Sequence, residues 1–156
     1  MSSKYFIPGF LFLLVAISSK AQQSPSDSLR LAKTLNELSV ICKSIDFKDP
    51  KAIKLGAFYK AAPYIVYHGD DAKRAWKDFA NYKNDAEKKG VDDICLRING
   101  TVNRDSSYKI VQYIIEKEPE GTWHVLMISY KKHNAEKKAG FAFLKIGDRF
   151  ALGDID

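Results

Sequence analysis

The sequence predicts an α+β domain, with N-terminal helices packed on a curved antiparallel sheet of four to five strands. Three observations predict it. Before Ser107, apolar residues recur at intervals of three and four, the period of an amphipathic helix. After Ser107 the spacing falls to two, the period of a strand. Short turn signals, Glu118-Pro119-Glu120-Gly121 and Gly147-Asp148, separate those later segments as hairpin connections do. Helices first and strands afterwards is the order of a segregated α+β architecture.

Gln22 to Ser28 is a polar lead-in, with Ser24 or Ser26 as cap and Pro25 or Asp27 as the opening residue of the first helix. Leu31, Leu35, Leu38, Cys42 and Ile45 form its apolar stripe, while Arg30, Lys33, Asn36, Glu37 and Lys43 fall largely on the other side. Asp49-Pro50 starts a second helix carrying Ile53, Leu55, Phe58, Tyr59 and Ala62, closed by Pro63. Tyr64 to Tyr67 is a short strand ended by His68-Gly69. Asp70 or Asp71 then caps a third helix, with Ala72, Ala75, Trp76, Phe79, Tyr82 and Ala86 inward and Gly90 as its stop. Val91 to Asn99 fits both periods, and its flanking Asp92-Asp93 and Asn99-Gly100 favour a short helix.

Tyr108 to Lys117 is a strand with Val111, Tyr113 and Ile115 on one face and Ile110 and Ile114 on the other. Thr122 to Lys132 returns, alternating Trp123, Val125 and Met127 against His124, Leu126 and Ile128. His133 to Lys138 reads as a polar connection, and Gly140 to Ile146 and Arg149 to Ile155 as a last hairpin. The helical stripe is expected to bury against Val111, Ile115, Val125, Met127, Phe141 and Phe143.

Residues 1–21 read as a secretory signal peptide: Lys4, an apolar run from Phe6 to Ile17, then Ser19-Lys20-Ala21, with cleavage before Gln22. The run is shorter than the roughly 20 apolar residues of a spanning helix. The expected organisation is therefore a signal at 1–21 and a single domain at 22–156, exported to the periplasm or beyond and not inserted in a membrane once the signal is gone. Removing the signal leaves 23 basic against 19 acidic residues, a net +4. The lysines are scattered among acids rather than concentrated on one face, so nucleic acid is not an expected partner. Cys42 and Cys95 are the only cysteines, and an oxidising compartment offers them either a disulfide or a role as buried thiols in the core.

The order of elements resembles the nuclear-transport-factor-2-like, or cystatin-like, α+β superfamily. The endings Gly121-Thr122-Trp123-His124-Val125 and Phe141-Ala142-Phe143-Leu144-Lys145-Ile146-Gly147-Asp148 look like the final hairpins of that group. The resemblance spans residues 26–156 and implies a cone, a curved sheet wrapped on a long helix with a pocket at the wide end. Members include isomerases, dehydratases and hydrolases as well as pocket proteins without catalysis, so fold alone chooses none of these.

Chemistry-bearing motifs are sparse. His68, His124 and His133 lack metal-ligand spacing, and no H-E-x-x-H, G-x-S-x-G or phosphate loop occurs. No catalytic residue, metal site or cofactor is assigned. Tyr67, Tyr113, Trp123 and His124 are the candidate ligand-binding residues, three of them on the meander. Asn99-Gly100-Thr101 matches a glycosylation acceptor and is read as a turn. The expected function is non-catalytic binding of a small apolar ligand or peptide. A protein-interaction or inhibitor module is one alternative. A small isomerase- or dehydratase-like enzyme is the other, with His124 as general base beside Tyr59, Tyr67, Tyr82 or Tyr113 and with Asp154 closing the last strand.

Overall fold

Alternation over residues 108–155 produces a four-stranded antiparallel sheet in the order of the chain: β1 (Tyr108–Glu118), β2 (Gly121–Lys132), β3 (Ala135–Ile146) and β4 (Arg149–Ile155). The computed structural model describes residues 25–43, 57–102 and 107–156. Helices α1 (Pro25–Lys43) and α2 (Asp85–Thr101) lie on one face of this sheet, so the architecture is α+β.

Register decides what each face carries. His124 pairs with Phe143, Leu126 with Phe141 and Ile128 with Ala139, and these residues face the helices. Trp123 pairs with Leu144, Val125 with Ala142 and Met127 with Gly140, on the opposite face. Leu31, Leu35, Leu38 and Cys42 of α1 are fully buried, as are Val91, Cys95 and Ile98 of α2. Ile45 lies outside the described residues. The expectation for Phe141 and Phe143 is met, whereas Val125 and Met127 sit on the face away from the helices. Val111 is also misplaced by simple alternation. A bulge between Ile110 and Gln112 leaves it opposite no β2 residue and half exposed.

The connection expected over 133–138 is a two-residue turn instead. His133 and Asn134 both take left-handed backbone angles (φ 52° and 63°), which let two long strands meet with Lys131 opposite Glu136.

The segment before the sheet departs further from expectation. Residues 44–56, which hold most of the expected second helix, lie outside the described residues. Its end is two 3₁₀ turns, Ala57–Lys60 and Ala62–Tyr64, burying Phe58, Ala61 and Ala62. Tyr64–Tyr67 makes single bridges rather than a strand: Ile65 to Leu152 in parallel and Val66 to Phe79 antiparallel.

The expected helix from Asp70 to Gly90 forms only over its last six residues, Asp85 to Gly90, as the start of α2. Residues 72–77 are turns, Trp76 adopts a left-handed φ of 64°, and its N–H donates to the Tyr67 carbonyl. Tyr67 N–H donates to Asp78 O and Ala80 N–H to Ile65 O, which closes a hairpin-like loop. This loop lays Trp76 and Phe79 on Trp123, Leu144 and Ala151, covering that end of the second sheet face. A continuous helix would have left that face bare. The helix begins later, where the Asn84 side chain accepts from Ala86 and Glu87 N–H, and it runs through Gly90 to Thr101. Val91–Asn99 is therefore helical, and Asn99-Gly100-Thr101 is helix rather than turn. The Asn99 amide donates to Cys42 O at 2.7 Å, a bond that a glycan on that nitrogen would displace.

Cys42 and Cys95 are joined as a disulfide between α1 and α2, with their Cα atoms 4.9 Å apart. Arg97 ties α2 to the last strand through the Asp154 carboxylate and the Ile155 carbonyl.

Phe143 is fully buried between the sheet and the helices. Phe143→Ala should destabilise the fold by about 3–5 kcal/mol, while Lys137→Ala, at an exposed site on β3, should leave the melting temperature nearly unchanged. Equal melting of the two variants would refute the register. The Cys42–Cys95 bridge closes a loop of 53 residues, and its reduction should lower stability by about 4 kcal/mol in denaturant titrations. Two freely alkylated thiols in unfolded, unreduced protein would contradict the bond.

Candidate functional site

The four residues singled out from sequence divide between the two faces of the sheet. Tyr113 and His124 meet on the helix-covered face, where the Tyr113 hydroxyl and His124 Nδ1 share a hydrogen bond at 2.5 Å. Trp123 and Tyr67 belong to the opposite side and are linked through Trp76. Trp76 packs edge-on against Trp123 at 5.5 Å, stacks on His68 at 5.4 Å, and donates its backbone N–H to Tyr67 O.

His124 is placed by β2 on the helix-covered face of the sheet, with its ring edge-on to Phe150 at 4.9 Å. It is 3% exposed, and its Nε2 has no hydrogen-bond partner among the described residues. Burial pushes its imidazole below the usual histidine range, Asp27 opposes that, and Lys145 reinforces it. Burial likewise raises the Tyr113 hydroxyl, with Asp27 adding to the effect. An imidazole of this kind can act as a base only where a substrate reaches it, and here it packs under protein on both sides.

The Tyr67 side is open. A pocket of about 240 Å3 lies between the 65–70 segment and the first half of α2, with Ile65, Val66, Ala80, Ala86 and Val91 as apolar lining. Tyr67, His68, Asp70, Asn84 and Glu87 supply its polar groups. Apolar walls with a few fixed polar groups are the usual composition of a small-molecule site. Trp123 is not part of that lining; its indole N–H donates to Glu120 at 3.1 Å and its ring lies over Gly153. A Cβ at Gly153 would stand 2.5 Å from that ring, so only glycine admits the tryptophan there.

One side of the pocket is organised by Arg74. Its guanidinium donates to both Glu87 oxygens (2.9 and 3.2 Å), to Asp78 at 2.9 Å and to Phe79 O at 3.2 Å, and it lies 4.2 Å over the Tyr67 ring. Asn81 N–H also donates to Glu87 at 2.7 Å. Arg74 thereby holds the Glu87 and Asp78 carboxyls below their usual range. The network fixes Tyr67 and leaves Glu87 charge-compensated at the pocket wall. Tyr82 stands beside it, its hydroxyl donating to Asp92 at 2.8 Å; burial first and Asp92 second raise its pKa.

Gly90 borders the pocket. It lies inside α2, and a Cβ built on it would meet no heavy atom within 4 Å. Sequence reasoning read Gly90 as a helix stop and missed it as a pocket residue. It also missed Arg74, Asn84 and Glu87. The only signal available for Glu87 was its position three residues after Asn84, the spacing of a capping box.

Among the described residues no group of three or more His, Cys, Asp or Glu side chains is arranged to hold a metal ion. No helix among them is long and apolar enough to cross a membrane. Compared with protein-family models, curated proteins and solved structures, the chain matches none.

The lowered His124 value sets a pH dependence. Its folded-state pKa lies below the unfolded one, so the unfolded chain takes up the proton first. Stability should then fall as pH drops below about 6.5, the ordinary histidine value. A further loss should follow below about 4, as Asp78 and Glu87, whose native pKa values are depressed, become protonated. His124→Asn keeps a partner for Tyr113 and removes the titration, so melting curves should lose the decline between roughly pH 7 and 5 while retaining the acid limb. An unchanged upper limb would assign it to another group.

Proposed function

We propose that this chain is an exported, non-catalytic binding module that holds a small, largely apolar molecule in the pocket between the 65–70 segment and α2. The supporting observation is Gly90. A glycine inside a helix is unfavourable by roughly 0.5–1 kcal/mol relative to alanine, and this one faces unfilled space at the pocket lining. The sequence forgoes a stabilising side chain where a ligand would sit.

The export part of the reading rests on the leader-like pattern of residues 1–21. Membership of the nuclear-transport-factor-2-like superfamily belongs to the same proposal. Its support is the four-stranded meander backed by the α1 stripe. A catalytic reading centred on His124 has less behind it, because that imidazole is buried among Tyr113, Phe150 and α1 rather than facing the pocket. An interaction module is favoured by one feature, the edge strand β1, where Ile110 and Val111 are 43% and 51% exposed.

Native mass spectrometry of protein purified from its own host tests the assignment. The wild type should carry a small molecule, Gly90→Ala should melt higher, and Gly90→Phe should fold but lose the ligand. A ligand retained by Gly90→Phe would place it elsewhere. A co-purifying protein in place of a small molecule would favour the interaction module.

A further inference from the structure

A second cleft, about 340 Å3, opens between α1, the residues around Tyr64 and the start of β4, lined by Arg30, Lys33, Thr34, Tyr64, Arg149 and Phe150. One carboxylate, Glu37, completes the lining, so three cations face a single anion. Glu37 is itself engaged, with Lys33 Nζ at 3.9 Å, and after burial its charge is what raises the Tyr64 hydroxyl. Asp27, 3.8 Å from Arg30, is shared with Lys145 at 3.6 Å and so does not cancel the excess.

Both arginines are held in the same manner. Arg149 donates one Nη2–H to Pro63 O at 2.6 Å and lies 4.1 Å over the Phe79 ring. Arg30 donates from Nη2 to Asp148 O and lies 5.5 Å over the Phe150 ring. A backbone carbonyl and an aromatic face fix a planar guanidinium while using little of its five-donor fork. Two such forks beside a lysine, set before any ligand arrives, match the requirements of an oxyanion, which rewards bidentate, charge-assisted donors.

We propose that this cleft is a binding site, separate from the Gly90 pocket, for the oxyanion group of a small molecule, a phosphate ester or a carboxylate, held by Arg149, Arg30 and Lys33. Selectivity between the two follows from how the forks meet a tetrahedral or a planar group.

The test is a titration of the folded protein at low ionic strength, once with inorganic phosphate and once with citrate, followed through backbone amide NMR shifts. Saturable shifts should cluster at residues 30–34 and 148–150, and the tighter of the two anions sets the ligand class. Arg149→Gln should weaken binding by at least about tenfold, and Arg149→Lys should recover only part of it, because the charge returns without the fork. If Arg149→Gln unfolds through loss of its hold on Pro63, Lys33→Gln serves instead, since among the described residues that side chain makes only the long contact with Glu37. Gly90→Phe should leave this binding intact, which keeps it distinct from the pocket assignment. Non-saturating shifts, equal displacement by chloride at matched ionic strength, or an equal loss in Lys137→Ala would each overturn the site.

Discussion

Because β2 pairs with β3 so that His124 meets Phe143 and Leu126 meets Phe141, alternate residues of two long strands are committed to opposite faces. A slip by one residue would send Trp123 and Met127 under the helices and expose Leu126 and Ile128. The α1 stripe, the α2 stripe and the disulfide joining them are placed by what the inner face presents. The loop carrying Trp76 and Phe79 is placed by what the outer face presents. Both candidate binding sites sit where these coverings meet the margin of the sheet, the pocket against α2 and the cleft beside β4.

The loop over the outer face has no regular structure of its own to hold it. Arg74 takes that part, with five contacts reaching Tyr67, Asp78, Phe79 and Glu87 across a turn, a bridge and a helix start. Its partner Glu87 lies in the first turn of α2, where a carboxylate also complements the helix dipole. The arrangement lets Trp76 occupy a backbone region that a bulky side chain normally avoids at about 1–2 kcal/mol. Edge-on packing against Trp123 offsets that strain. Pocket and aromatic cover are thus two sides of one device.

His124 is the polar exception on the inner face. Leucine neighbours it two residues on, at Leu126, and an apolar residue in its place would leave no orphaned nitrogen. A buried polar atom without a partner costs about 1–3 kcal/mol. The histidine is also the group through which mildly acidic conditions reach the core, since Tyr113 is the polar atom bonded to it and its nearest charges, Asp27 and Lys145, oppose one another. In Arg30 and Arg149 the chain does the reverse, fixing charged groups at an exposed margin.

The sequence by itself determined the class of the domain, the meander and the α1 stripe, because period-two alternation, turn chemistry and 3.6-residue spacing are local properties written in neighbouring residues. It marked Tyr113 and His124 as polar groups in apolar surroundings without revealing that they touch, and it left the state of Cys42 and Cys95 open. Only the tertiary structure decided the course of residues 70–84. Ala72, Ala75, Trp76 and Phe79 satisfy a helical period, yet Trp76 and Phe79 are needed on the outer face of a sheet built from residues far along the chain. Tertiary burial outweighed local propensity there. The same non-local choice moved the helix start to Asn84, turned Gly90 from a terminator into a pocket residue, and brought Arg30 and Arg149 to one cleft from elements separated by most of the domain.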